Sequence, residues 1–515
     1  MMDPLRTKIA ISAVSSRAFV FVLSIVSNHL IPDHDAYDVF QWIKVPLNSD
    51  DAKPKPLDWI FTFFLEGLTR WDGQHFLHIA NNGYTYENSI AFFPFFPKVV
   101  GIVAHFLHWC QIDYDIISFN ICLILSATLI NFFGFILAAL VLFDLSRKVL
   151  KDEYLAYKAA LFFCINPASI FFSAAYSETL FSLFSFYAML KIEKSFKLQV
   201  SILLSLPSAT RANGVINIGF SLYKGVKIIA KEVFAHKRLG KYAETSTTIA
   251  NILGDALVPS ILSLIIGIFP FIFTQWYAFM NFCRLTKSDR NMSLAIIEYA
   301  KFHPSLKLPS DEPSPWCYDR LPIPYSYVQD HYWNVGFLRS YQIKQVPNFI
   351  IAIPILYLVF WRGYEFIKKH KVFSKRLGLN PYVEPNDYVK LISSKNLPKE
   401  CLVYVVHSLV LATFCILFIH IQVSTRLLCS SCPVIYWYAA ALTTHRNRRH
   451  TPLIESTRME EFVHIIEKKS NLESAYKSVI FDERPVDSTD RWLRVYFMSY
   501  TVLGTVMFSN FLPWT

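Results

Sequence analysis

Charge is scarce in this chain. Only 17% of its 515 residues are Asp, Glu, Lys or Arg, against about a quarter in an ordinary soluble globular protein. Paired cysteines are also lacking. There are nine Cys, an odd number, and most lie inside apolar runs, so no disulfide framework is read from them. Cys429-Ser-Ser-Cys432 has redox spacing but sits in or beside an apolar span, where packing is the expected role. No cluster of metal ligands stands out. His75 and His78 are spaced H-x-x-H, not the i, i+4 pair of a helical zinc site. No cleavable signal peptide is expected in the first apolar run, 9–31, which is long for one and has no convincing small-residue cleavage site.

What is present is hydrophobic sequence: 53% apolar residues, 45 Phe, 27 Tyr and a mean hydropathy of +0.32. With several long apolar runs, this defines a polytopic membrane protein. The net charge of +11 is concentrated between spans, which reads as topology and excludes nucleic acid as a partner. Run 9–31 follows Arg6 and Lys8 and is read as a retained span entering from the cytosol; Arg17 within it is expected to face protein. Further spans are read at 119–145, 252–282, 346–361, 402–421, 427–442 and 492–511, with a pro-interrupted entry at 91–110. Residues 57–68 are apolar but too short to cross and are expected at the interface. The chain is treated as one multi-span domain with non-cytosolic loops at 32–91 and 284–345. Cytosolic segments are placed at 223–250, 362–400 and 445–490. Between 92 and 223 the number of full crossings stays open, because a simple count puts Lys191, Lys194 and Lys197 on the wrong side.

Against this background, Arg70-Trp-Asp-Gly-Gln-His75 and its continuation to Pro97 is polar and rich in ionisable groups. At about 100° per residue, Asp72, His75 and Phe76 share one helical face. Asp72 is either a functional carboxylate or a favourable charge at a helix start. Glu178 and Arg211 lie in apolar stretches broken by Asn166-Pro167 and by Pro207 with Gly214. They are read either as groups opening on a cavity or as an internal ion pair. The 284–345 loop is dense in Tyr, Trp and Pro, suited to a lid over a sugar or to an interfacial aromatic belt. Asn291-Met-Ser293 is a glycosylation sequon on the same side.

Seven blocks follow in order: R-W-D-x-x-H-F-L-x-I-A-x-x-G-Y, A-F-F-P-x-F-P, N-P-A-S-I-F-F-S-A-A-Y-S-E, A-T-R-A-N-G, Y-W-N-V-G-F-L-R with Q-V-P-N-F, Q-V-x-T-R and N-F-L-P-W-T. Through them the chain resembles the glycosylphosphatidylinositol (GPI) mannosyltransferase II family over nearly its whole length. The resemblance implies an all-α, polytopic GT-C glycosyltransferase of the endoplasmic reticulum membrane, with an active site built from lumenal loops. It implies transfer of the second, α-1,6-linked mannose from dolichyl-phosphate-mannose to a one-mannose GPI precursor, without cofactor or metal. Both substrates would enter from the membrane lipid; an accessory membrane subunit stays open. Trp71–Asp72 occupies the place of the family's catalytic acid, with one clear acid rather than a D-x-D pair. Asp72 is then the expected base and His75 its neighbour. Arg211, followed by Arg426 and Arg70, is expected on the leaving phosphate. Trp71, Glu87, Glu178, Asn213, Trp333 and Asn334 are the remaining substrate-binding candidates. The alternatives are another dolichyl-phosphate-mannose-dependent mannosyltransferase, a lipid transporter, for which broken helices argue but no inverted repeat is visible, or a non-catalytic scaffold subunit.

Overall fold

The computed structural model describes residues 3–34, 55–111, 114–239, 245–284, 292–303, 305–379, 396–444 and 487–514. Among them the regular structure is helical and no strand occurs. Asp3 caps the first helix through a 3.0 Å bond from the Leu5 N–H and Pro4 opens it, so α1 runs Pro4–Leu30. At 1.5 Å per residue it spans about 40 Å, enough for the roughly 30 Å hydrocarbon core. Among the described residues, five helical stretches are long and apolar enough to cross a membrane: Pro4–Leu30, Phe119–Leu150, Ser246–Arg284, Ile343–Lys369 and Lys399–Phe418. This is a multi-pass membrane protein.

The polar segment after α1 folds into α2 (Asp58–Leu65), a 3₁₀ turn at Glu66–Leu68 and α3 (Asp72–Asn82). The apolar stretch at 57–68 is therefore short, as expected. The reading of 91–110 changes. Helix α4 (Phe95–Cys110) has 16 residues, about 24 Å, too short for a full span. It packs along α3, where Gly101 lets the Ala80 carbonyl approach, and the chain beyond it returns to the start of α2. There the Leu57 N–H meets the Ile116 carbonyl at 3.2 Å and Asp58 takes the Ser118 N–H at 2.8 Å. Both ends of α4 thus stay with the 55–92 segment. Helix α5 (Phe119–Leu150) makes the crossing.

Ion pairs fix which helix ends lie together. Arg6 of α1 meets Asp144 of α5 at 2.6 Å, and Arg147 reaches Asp3 at 3.4 Å. Lys151 meets Glu400 at 3.9 Å, just before the helix that starts at Leu402, and Tyr404 in that helix donates to Glu193 at 3.1 Å. Glu193 closes α7 (Glu178–Lys194), whose first residue lies at the opposite end of the bundle. Lys191, Lys194 and Lys197 therefore stand at the same end as the start of α1. The conflict in the span count disappears because α4 does not cross.

Between α6 (Glu153–Cys164) and α7 the backbone is irregular. Its polar groups are satisfied from other helices. Buried Arg17 donates to the Ser169 carbonyl at 2.7 Å and the Ser173 hydroxyl at 2.8 Å, and Asn131 of α5 donates to the Tyr176 carbonyl at 3.0 Å. Helix α8 (Leu198–Thr210) ends beside α7 and folds back through a 3₁₀ stretch, Ala212–Asn217. A Cβ on Gly214 would lie 2.2 Å from the Pro207 carbonyl, so only glycine permits this return. The chain continues as α9 (Ile218–Leu239), α10 (Thr245–Ile252) and α11 (Val258–Phe279).

The large loop carries α12 (Leu294–Phe302) and α13 (Pro324–Trp333). Cys283 and Cys317 form a disulfide across its base, a pairing the cysteine count did not predict. Helices α14 (Val346–Lys369) and α15 (Leu402–Phe418) lead to α16 (Ser424–Ser431), which breaks at Pro433 into α17 (Pro433–Leu442). Helix α18 (Ser488–Ser509) carries the chain back to α3. Cys429 and Cys432 are buried, unbonded thiols in the core, where they pack as small apolar groups.

Candidate active site

The site forms where α3, α7, α8 and α16 converge. Trp71 has φ 55° and ψ −128°, a conformation costing on the order of 1–3 kcal/mol for a residue with a side chain. This turn starts α3 at Asp72. The Asp72 N–H donates to the Tyr176 hydroxyl at 3.0 Å. Its carboxylate does not close a capping turn. Oδ2 accepts instead from Arg426 Nη1 at 2.7 Å, from a residue 354 positions away. Arg426 Nε lies 3.2 Å from Glu178 Oε1, and the same oxygen takes Arg211 Nη1. The Arg426 guanidinium lies against the rings of Phe171 and Tyr176, 5.2 and 5.4 Å from their centroids.

The result is an alternating row, Asp72–Arg426–Glu178–Arg211, whose formal charges cancel. Burying such groups is costly unless each is paired. The two carboxylates differ in access. The Asp72 side chain is 27% exposed, whereas that of Glu178 is 1% exposed. Glu178 therefore holds the arginines, and Asp72 is the carboxylate a substrate can reach. Asn213 fixes the fold-back after Arg211 to α16 through a 3.1 Å bond to the Ser431 hydroxyl.

His75, one turn beyond Asp72, is stacked on Phe92 at 4.7 Å and meets Trp333 edge-on at 6.1 Å. Burial lowers its pKa to about 4, opposed in part by the Asp72 charge. The ring is neutral at neutral pH. His78 points elsewhere, to the Thr85 hydroxyl at 2.6 Å, and burial takes its pKa to about 3.

The other expected residues divide by what holds them. Arg70 is buried and committed to structure: it binds Asn28 at 2.7 Å, Asp33 at 3.1 Å, Glu66 at 3.3 Å and the Ser509 carbonyl at 3.2 Å. It ties α1, the Glu66 turn and α18 together. Trp71 packs edge-on to Phe511 at 5.8 Å, and its buried indole N–H has no hydrogen-bond partner among the described residues. Glu87 stands apart from the charged row. Its carboxylate accepts from the Ser314 hydroxyl, from Trp316 Nε1 at 2.8 Å and from the Tyr332 hydroxyl at 2.8 Å. It thereby pins the large loop and brings Trp333 over Phe92 and His75. The Trp333 carbonyl is held by His420 at 2.6 Å. Asn334 adopts the left-handed conformation that ends α13, and its side chain accepts from Arg339 at 3.2 Å. Asn291 lies outside the described residues. Sequence reading missed Tyr176, which supports both Asp72 and Arg426; its one signal was the polar run Ser173 to Glu178 inside apolar sequence.

A multi-pass helical membrane protein with an accessible carboxylate braced by buried guanidinium groups is the class this geometry defines. The chain matches the family described as Mannosyltransferase (PIG-V) over residues 6–515 and belongs to it, so it is a mannosyltransferase. It is 33% identical over 521 residues to the GPI alpha-1,6-mannosyltransferase 2 of Cricetulus griseus, covering 100% of this chain and 99% of that protein. The Homo sapiens protein of the same description is also 33% identical, with the same coverage. The GPI mannosyltransferase 2 of Drosophila melanogaster is 33% identical over 515 residues, covering 99% of each chain. A solved structure of the Archaeoglobus fulgidus oligosaccharyltransferase in apo form aligns with a TM-score of 0.38 and 13% identity, covering 98% of this chain and 56% of that one. At that score the likeness carries no argument.

Proposed function

We propose that this enzyme transfers the second, α-1,6-linked mannose from dolichyl-phosphate-mannose to the one-mannose GPI precursor, at the lumenal face of the endoplasmic reticulum membrane, on a GT-C type fold. The names of the full-length relatives support the GPI acceptor and the linkage. The observation that carries the chemistry is the accessible Asp72 carboxylate held by Arg426.

A β-linked mannosyl phosphate that yields an α-mannoside inverts in one displacement. The acceptor hydroxyl gives its proton to Asp72 as its oxygen bonds to the anomeric carbon. The bond from that carbon to the phosphate oxygen breaks, and its electron pair leaves on the phosphate. A lipid phosphate needs cationic contacts rather than a proton, and Arg426 and Arg211 are the candidates beside the base. We propose that the transfer is metal-independent: Asp72 and Glu178 each take a guanidinium. Neutral His75, under Trp333 and Phe92, forms an aromatic wall for a sugar.

Two observations support the lumenal side. The Cys283–Cys317 disulfide belongs to the loop that packs on the site, and disulfides persist in oxidising compartments. Lys191, Lys194 and Lys197 sit at the other end, as cytosolic ends require. The test is to incubate membranes from cells lacking their own second GPI mannosyltransferase, with and without this chain, with labelled dolichyl-phosphate-mannose. A labelled two-mannose GPI lipid formed only with the chain supports the reading. Label appearing in a different glycan, or none, contradicts it.

A further inference from the structure

Two membrane spans bring their outward apolar stripes to one short segment of the large loop, 337–343. On α15, Val406, Val410, Phe414 and Phe418 follow one another at helical spacing and are all exposed. On α14, Val346, Ile350, Ile353 and Tyr357 form a second exposed stripe. The first stripe continues into the loop. Phe414 stacks on Phe418 at 5.1 Å, and the Phe337 ring lies 5.4 Å beyond Phe418. At the second stripe, Tyr341 meets Phe349 in the first turn of α14 at 5.1 Å. Hydrogen bonds hold the segment in place. The Leu338 N–H donates to the Leu417 carbonyl at 2.7 Å, and the Ser340 hydroxyl to the Ile419 carbonyl at 3.0 Å.

The outward side chains of this segment are apolar. Ile343 is 91% and Phe337 61% exposed, and Leu338 and Tyr341 are exposed beside them. Leu338 has φ 56°, a left-handed conformation that a leucine rarely takes, and its side chain still ends at the exterior. The nearby charges do not oppose contact with lipid. Arg339 is ion-paired with Asp330 and donates to Asn334 at 3.2 Å. Exposed Lys344 has a stem long enough to carry its ammonium to the headgroups. The spans also leave a gap to fill. Helix α15 rises about 26 Å, and α14 from Val346 to Trp361 about 23 Å, both short of the roughly 30 Å hydrocarbon core.

We propose that 337–343 is a membrane anchor: Phe337, Leu338, Tyr341 and Ile343 insert into the edge of the leaflet on the active-site side and complete the apolar belt of α14 and α15. Lipid is the occupant because the patch continues two surfaces that already face lipid. Aromatic and aliphatic groups beside a lysine are also what the membrane interface selects. The large loop then has two seats. Ser314, Trp316 and Tyr332 are drawn onto Glu87, while the segment just after Trp333 at the end of α13 rests in the bilayer. Which compartment that leaflet faces rests on the proposed function; the insertion itself does not.

The test places the full chain in lipid nanodiscs. The exposed free thiol is removed by Cys110→Ser, and the fluorophore NBD is attached to Ile343→Cys. Phe337→Cys is labelled separately, so that the result does not hang on one variant. Glu312→Cys, an exposed acidic position of the same loop, is the aqueous reference. Both anchor labels are expected to emit to the blue of the reference. They should lose fluorescence when the acyl chains carry bromine near the headgroup end, and be shielded from aqueous iodide. Iodide quenching equal to that at Glu312→Cys overturns the anchor. Shielding from both iodide and brominated lipid means that protein covers the segment, which overturns it too. Stronger quenching by bromine at the bilayer centre than near the headgroups overturns a seat at the leaflet's edge. If the labels meet lipid but the parent chain does not make the two-mannose lipid, the anchor stands and the proposed function fails. If the parent makes that lipid and iodide reaches the labels, the anchor fails and the proposed function stands.

Discussion

Asp72 Oδ2 and Arg426 Nη1 are 2.7 Å apart across 354 residues of sequence, and Arg426 in turn faces buried Glu178 at 3.2 Å. The more exposed carboxylate of the row is thus positioned by a guanidinium anchored on a second, buried carboxylate. Glu178 is the keystone of this row. Removing its charge leaves Arg211 and Arg426 without their shared partner in a buried setting. Glu178→Gln is expected to cost about 3–5 kcal/mol and to lower the unfolding temperature of the detergent-solubilised protein. Unchanged thermal stability would show that the row is not a structural unit.

Glu87 makes a separate claim about the large loop. Three donors from Ser314, Trp316 and Tyr332 converge on its buried carboxylate. Glu87→Ala strands them and is expected to cost about 3 kcal/mol. The loop should then become sensitive to limited proteolysis within 305–340, while Asp72→Asn should leave it resistant. Equal resistance in the two variants would mean that the loop is held by other contacts.

The pH dependence follows from His75 and His78, whose folded pKa values are lowered to about 4 and about 3 from 6.5. Both are neutral when folded, and the unfolded chain takes up protons first as pH falls. Their contribution to stability is full above pH 6.5 and is lost progressively as pH falls towards 4 and then 3. Unfolding temperatures measured between pH 7 and pH 4 should fall, and His78→Phe should flatten part of that slope. A profile identical to the parent would contradict the burial of His78 as a neutral ring.

Gly214 is a purely steric prediction. A methyl group there meets the Pro207 carbonyl at 2.2 Å, and backbone cannot step aside as a flexible side chain can. Gly214→Ala should displace the stretch that carries Arg211 and Asn213. We expect at least a tenfold loss of activity with reduced yield of folded protein, whereas Gly219→Ala, where a Cβ meets nothing within 4 Å, should behave like the parent. Equal behaviour of the two variants would contradict the fold-back.

Local chemistry made much of this legible in the sequence. The Asp72 helix and its end at Gly83, the breaks at Asn166-Pro167 and Pro207, and the inward-facing Arg17 all follow from periodicity, turn residues and the cost of charge in apolar sequence. Other features depend on contacts distant along the chain. Nothing local distinguishes Arg426, which joins the charged row, from Arg70, which is consumed by Asn28, Asp33, Glu66 and Ser509. Glu87 reads like a site acid until its partners on the large loop are known. Helix α4 is apolar enough to pass for a span; its length and the return of 115–118 to α2 remove it.

The most direct measurement compares this chain with Asp72→Asn at matched levels in cells lacking their own second GPI mannosyltransferase, with the accumulated GPI lipids identified. The substitution keeps the side chain's shape and removes its basicity. The account predicts that the parent converts the one-mannose precursor and that Asp72→Asn is slower by about 10²–10⁴-fold, the range for loss of a general base. Conversion by Asp72→Asn at the parent's rate would contradict it and reduce Asp72 to a structural partner of Arg426.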